Sequence, residues 1–212
     1  MNSQQDSSSQ HPSIERCLAL MEDFGMYQNI RRHSCMVART AEILYRGLVN
    51  AAKAAPLPDR QLVIAGALLH DIAKTKCLEE GCRHAEVGRD ICNDLGLPFI
   101  AEIVANHVTI ADFKDEEYRQ GKFGAIELVF YADKRVNHDQ VVSLDERLAY
   151  ILDKYSQNKA VRKAHILKNF EQCRTIERHI FAFVDFAPED VRGLLNTSPQ
   201  ELLHYLPESQ TL

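Results

Sequence analysis

The chain has 212 residues, 45% of them hydrophobic, which is enough for one domain with a sizeable core, or for one domain with a helical extension. A formal net charge of −5 argues against a general nucleic-acid binder, which carries a basic face, but it leaves room for a small phosphorylated ligand held by a few local cations. The longest clean apolar run, Leu62 to Leu69, falls far short of the ~20 residues that cross a bilayer, so no membrane partner is expected.

Met1 to Pro12 is rich in Ser and Gln and has no Lys or Arg. It lacks the charged start and apolar centre of a signal peptide, so it reads as a disordered tail on a cytoplasmic protein. Ile14 to Phe24 reads as a short amphipathic helix ended by Gly25. Ile30 to Lys53 reads as a long helix, with Val37, Ala41, Leu44 and Leu48 in one stripe, and the segment from Ala54 to Pro58 breaks it. Asp59 then caps a helix running through Ala73, apolar on most sides and therefore expected to be buried.

A polar loop is expected from Thr75 to Arg83. Helices follow from about His84 to Leu95, stopped by Gly96, and from Pro98 to about His107. Thr109 to Gly124 is charged and irregular and reads as a mobile loop. Further helices are expected over Ala125–Val136, Asp145–Tyr155 and Lys159–Phe186; Pro188 starts a last short one, and the chain trails off from Pro207. No alternating strand pattern and no internal repeat is seen.

The expected fold is all-α. A helical metal-binding domain covers 13–140, and a C-terminal helical extension, 141–212, packs on the same domain. The apolar end of the long late helix, Ile180 to Phe186, closes the core or forms a homodimer seam. The cysteines, Cys17, Cys35, Cys77, Cys82, Cys92 and Cys173, form no CxxC pair and read as free thiols.

The informative feature is where certain His and Asp residues fall. His33 shares a face with Val37, Ala41 and Leu44; His70 follows Val63, Gly66 and Ala67, with Asp71 next in line. His84 leads Val87, Gly88, Ile91 and Leu95; His107 ends Ile100, Ile103 and Val104; Asp133 ends Ile126, Val129 and Phe130. Offsets of three, four and seven place each polar group on the face that should be buried. Burying several imidazoles and two carboxylates without partners costs about several kcal/mol per group, and a shared metal removes that cost. His11, His138, His165, His179 and His204 end no such stripe and are assigned to solvent or packing.

The order His33, then His70-Asp71, then Asp133 resembles the H…HD…D signature of the HD superfamily of metal-dependent phosphohydrolases. The strings Arg31-Arg32-His33-Ser34, Ala67-Leu68-Leu69-His70-Asp71-Ile72-Ala73-Lys74 and Tyr131-Ala132-Asp133-Lys134-Arg135 carry it, over roughly Gln28 to Asn137. His84 and His107 look like the extra histidines of binuclear members. The six-ligand set is similar to that of HD-domain diadenosine tetraphosphate hydrolases. The GYP signature and adjacent His-His pair of cyclic-dinucleotide phosphodiesterases are absent. The short spacing from Asp71 to His84 implies either a tighter lid over the pocket or a His84 outside the ligand set.

The resemblance implies a helical bundle around the metal site and hydrolysis of a phosphoester or phosphoanhydride, often of a nucleotide or dinucleotide. It assigns His33, His70 and Asp133 to one metal and His84 and His107 to the other, with Asp71 bridging and a metal-activated hydroxide as nucleophile. Lys74 is expected over the metals as a phosphate contact and stabiliser of developing charge; Lys134 and Arg135 are the other substrate-binding candidates. An all-nitrogen-and-oxygen donor set suits Fe or Mn best, with Ni, Co and Zn also compatible. Two alternatives share the ligand set: an HD-fold mixed-valent diiron oxygenase, and a catalytically silent nucleotide-binding module.

Overall fold

The computed structural model describes residues 11–51, 55–155 and 160–195. The Ser13 hydroxyl accepts from the Arg16 amide and starts α1 (Ile14–Asp23), whose Ile14, Cys17, Leu20 and Met21 recur at helical spacing and are buried. Gly25, at φ +60°, turns the chain toward α2 (Gln28–Asn50). The Asp59 carboxylate accepts from the Gln61 amide and caps α3 (Arg60–Leu69), in which every residue from Val63 to Leu69 is buried. Then follow α4 (Lys74–Glu80), α5 (His84–Asp94), α6 (Pro98–Asn106), α7 (Asp115–Arg119) and α8 (Ala125–Lys134). A hairpin of β1 (Val136–Asn137) and β2 (Gln140–Val141) leads to α9 (Leu144–Tyr155), α10 (Ala160–Ile180), a 3₁₀ turn at Pro188–Asp190, and α11 (Val191–Leu194).

An all-apolar helix has to be surrounded, and α3 is: it packs on α1, α2, α6 and α8. Gly66 lets α6 come close, since a methyl group there would stand 2.5 Å from Ile103 Cδ1. The long α10 lies against α7, α8 and α9, and its Ile166, Phe170, Cys173, Ile176 and Ile180 join the same core. The all-α expectation therefore holds, and no helix among the described residues is long and apolar enough to cross a membrane.

Several local expectations are corrected. The buried helix ends at Leu69, the chain turns through His70 to Ala73, and it restarts as α4 where a polar loop was expected. Its Lys-Thr-Lys-Cys-Leu-Glu-Glu sequence has no apolar stripe to announce a helix, yet Thr75 and Cys77 are buried and the Tyr27 amide donates to Thr75 Oγ1 at 2.9 Å. Gly81, at φ +76°, ends α4 and folds the chain back, which brings Cys82 to Cys77. Those two are disulfide-bonded rather than free, while Cys17, Cys35, Cys92 and Cys173 are free and buried.

The stretch 109–124 is anchored rather than loose. Ile110, Tyr118 and Phe123 are buried, the Tyr118 hydroxyl donates to Glu127 at 2.9 Å, and Phe123 meets Phe183 edge-on. The late helix ends at Ile180, short of Phe186, and its last aromatics turn inward, with Phe181 edge-on to both Tyr131 and Phe186. The hairpin is the strand pairing that the periodicity did not reveal; two-residue strands are too short to alternate. The tail up to residue 10, and the trailing segment with His204, lie outside the described residues.

Candidate metal centre

The six stripe-ending residues converge. Donor atoms of His33, His70 and Asp133 form one group and those of Asp71, His84 and His107 another, the atoms of each within 4.8 Å of one another. In the first group His33 Nε2 lies 3.0 Å from Asp133 Oδ1, and His70 Nε2 lies 3.7 Å from the same oxygen. In the second, Asp71 Oδ1 lies 3.4 Å from His84 Nε2 and 3.5 Å from His107 Nε2. The other Asp71 oxygen, Oδ2, is 3.3 Å from His70 Nε2. Asp71 therefore presents one oxygen to each group. His84, whose short spacing from Asp71 left its place open, stands with Nε2 3.1 Å from His107 Nε2.

The fold aims these rings through their far nitrogens. His70 and His107 each sit at the C-terminus of a helix, where the last carbonyls lack helical partners. Their Nδ1–H groups donate to the carbonyls three residues back, Ala67 at 2.7 Å and Val104 at 2.6 Å. His33, inside α2, donates from Nδ1 to the His138 carbonyl at 2.9 Å. His138 occupies the left-handed region at φ +56°, an uncommon conformation for a side chain of its size, and the turn it makes presents that carbonyl. With Nδ1–H committed to a carbonyl, a neutral imidazole turns the lone pair of Nε2 inward, the form a metal takes.

Electrostatics point the same way. Burial favours the neutral form of His33 and His107 and outweighs their carboxylate neighbours; it pushes His84 down to about 4. Burial opposes charge on His70 too, but Asp71 and Asp133 beside it prevail and raise it. For the two carboxylates burial works against ionisation; Lys74 and His70 at Asp71, and Lys134 and His33 at Asp133, overcome it and hold both well below the usual carboxylate range. Two buried carboxylates thus stay ionised. His70 Nε2 and Asp71 Oδ1 are buried with no hydrogen-bond partner. Orphaned donor-set atoms between ionised carboxylates and clustered imidazoles fit a divalent metal.

The cations divide differently from expectation. Lys74 Nζ donates to Asp71 Oδ2 at 2.6 Å and is part-exposed, so it stands at the mouth of the cluster. Lys134, by contrast, is buried; its ammonium donates to Asp133 Oδ2 at 2.7 Å and to the His107 carbonyl at 2.9 Å, so it braces a residue of each ligand group. Arg135 is committed to other partners. Its guanidinium turns away to the Val142 and Pro188 carbonyls, Tyr131 and Glu177, and ties the end of α8 to the hairpin exit and the C-terminal turn. Arg32 pairs with Asp139 and Arg83 with Glu86.

The family described as HD domain matches residues 30–158, which extends past residue 140 and takes in the hairpin and α9. Among curated proteins, a tRNA (cytidine(56)-2'-O)-methyltransferase from Picrophilus torridus is 28% identical over 176 residues, 78% of this chain and 47% of that protein. The chain thus spans about half the length of this curated relative. No solved structure matches.

Proposed function

The chain belongs to the HD domain family, and from that premise and the geometry of the cluster we propose that it is a metal-dependent phosphohydrolase acting on a small phosphorylated substrate, a nucleotide or dinucleotide. In this reading His33, His70 and Asp133 hold one divalent metal, His84 and His107 hold a second, and Asp71 serves both. The observation that carries it is the orphaned pair, His70 Nε2 and Asp71 Oδ1, buried where two groups of ligand atoms meet. Nitrogen and oxygen donors favour iron or manganese, with nickel, cobalt and zinc next. When bound, such metals polarise phosphoryl oxygens and lower the pKa of water toward neutrality.

The remaining work falls to the chain's own groups. Backbone carbonyls of Ala67, Val104 and His138 fix three imidazoles, and Lys134 fixes Asp133. Lys74 offers its ammonium to a phosphoryl oxygen at the open side of Asp71, where charge develops during transfer. The name of the Picrophilus relative, which concerns a tRNA cytidine, supports a ribonucleotide as the substrate class; the imidazoles and carboxylates suit hydrolysis rather than methyl transfer.

The test is elemental analysis of the purified protein together with a nucleotide and dinucleotide screen in Mn²⁺ or Fe²⁺. Metal in the protein and release of phosphate or a nucleotide are expected, both lost in Asp71→Ala. Full metal content and activity in Asp71→Ala and His70→Ala would place the site elsewhere. Oxygen consumption without phosphate release would favour the oxygenase.

A further inference from the structure

We propose that the Cys77–Cys82 disulfide is a reversible thiol-exchange site that sets the position of His84: a dithiol reductant opens the bond, loosens the turn that carries His84 into the second ligand group, and lowers that group's hold on metal. The part His84 plays rests on the metal reading above; the bond, the turn and its exposure stand apart from it.

The bond joins residues five apart in sequence, across the left-handed turn at Gly81. Closing so short a loop removes little entropy from the unfolded chain, so it adds less to global stability than a link between distant elements. Its consequence is local. Cys77 is buried in α4, which is held to the start of α2 by the Tyr27 amide on Thr75 Oγ1 and the Tyr27 hydroxyl on Glu79. Cys82 stands two residues before His84, the first residue of α5. The disulfide therefore ties a fixed helix to the arm that delivers a ligand.

That arm has little else to hold it. Carbonyls of His138, Ala67 and Val104 fix the other three imidazoles through Nδ1. Among the described residues no carbonyl fixes His84, whose ring is met at Nε2 by His107 and Asp71. Arg83, the N-cap of α5, gives the helix no side-chain bond, and close packing begins one turn on, where Gly88 lies against Val104, Ile72 and Ala73. Cys82 is part-exposed between exposed Gly81 and Arg83, while Cys17, Cys35, Cys92 and Cys173 are buried. Exposed disulfides are the readily exchanged ones.

In the exchange, one thiolate of the reductant attacks the Cys82 sulfur, and the Cys77 sulfur leaves with the bonding pair and takes up a proton. The second thiol of the reductant then displaces Cys82, which takes up the other proton. Two electrons and two protons pass to the protein, and the reductant ends as a disulfide.

The test compares the full-length protein in three states: oxidised, reduced by a small dithiol that is removed under argon before metal is added, and reoxidised by a small-molecule disulfide. Cys77→Ser/Cys82→Ser stands for the open form. Alkylation of the folded protein should tag Cys77 and Cys82 only after reduction. In metal-free protein the Glu86 and Val87 amides, which donate to the Arg83 carbonyl, should exchange about tenfold faster once the bond is open, with the α3 amides unchanged. Titration with Mn²⁺ should show one of the two metal equivalents weakened by roughly tenfold to a hundredfold, reversed by reoxidation and permanent in the double variant. A bond that resists reduction in the folded protein, loss of helical circular dichroism on reduction, or exchange rates and Mn²⁺ affinities within about twofold across the states overturns the inference and leaves the hydrolase reading standing. Faster exchange on reduction in a protein that binds no metal in any state does the reverse: the metal reading falls and the redox-controlled turn remains.

Discussion

Lys134 gives the sharpest test of how the cluster is held. Its ammonium lies 2.7 Å from Asp133 Oδ2 and 2.9 Å from the His107 carbonyl, with side-chain exposures of 7% for Lys134 and 10% for Asp133. Lys134→Met keeps most of the volume, including the packing on the Phe130 ring 4.7 Å from the ammonium, but leaves a buried carboxylate and a carbonyl without their donor. Breaking a buried pair from one side costs about 3–5 kcal/mol, because the remaining charge stays buried and uncompensated. For a chain of this size that is roughly 6–20 °C in melting temperature. A divalent cation beside Asp133 partly replaces the lost charge, so the penalty is greatest after chelation and shrinks when Mn²⁺ is restored. Thermal unfolding followed by circular dichroism, with EDTA and with Mn²⁺, reads both numbers. A metal-free Lys134→Met protein within about 1 kcal/mol of wild type would refute the positioning role, and an equal loss with and without metal would refute the link to Asp133.

Other outcomes follow from the same geometry. Asp71→Asn, which alters the group facing both ligand sets, should remove more than one metal equivalent by elemental analysis, whereas His84→Ala, on the part-exposed side, should remove at most one; equal losses would deny Asp71 its shared place. Gly66→Ala should destabilise by about 1–3 kcal/mol in urea unfolding through overpacking against Ile103, and a neutral result would mean α6 can shift freely. Burial raises the Cys17 and Cys92 thiols to about 12 and Cys35 to about 11. Raised folded values favour the protonated form, so this contribution is fully present below the unfolded thiol pKa near ~8.5 and is lost as pH climbs toward 11–12. Urea midpoints from pH 8 to 11 should therefore fall less steeply in Cys17→Ala/Cys92→Ala than in wild type, and identical slopes would contradict it.

The sequence makes the cluster legible because each member interrupts an apolar stripe, and an apolar stripe has one direction: inward. That logic locates a side chain by its face and needs no partner. It does not extend to Lys134 and Arg135, which were grouped with Asp133 by adjacency. Successive helical residues diverge by about 100° around the axis, so neighbours in sequence are not neighbours in direction. Arg135 accordingly points to Val142 and Pro188, while Lys134 returns to Asp133 only through its long flexible stem. α4 was missed because a helix whose burial is limited to Thr75 and Cys77 shows no periodicity, and the Cys77–Cys82 link because it depends on the left-handed turn at Gly81.

The way the imidazoles are held also ties the cluster to the fold. A histidine at a helix C-terminus that donates to the carbonyl three residues back satisfies an orphaned backbone group and orients its own ring in one act, and the chain does this twice, at His70 and at His107. Both helices, α3 and α6, are core elements that approach at Gly66, so the separation of these two rings is set by apolar packing rather than by a loop. His33 and Asp133 come from α2 and α8, which also pack on α3 and on each other. The donor atoms are therefore brought together by the same contacts that bury Val63 to Leu69. What packing does not supply is a partner for the charge it gathers, and Lys74 and Lys134 answer two carboxylates from outside while His70 Nε2 and Asp71 Oδ1 remain open within. A divalent metal bound to such a preformed set would add directly to folding stability and would clamp together the helices that supply the donor atoms.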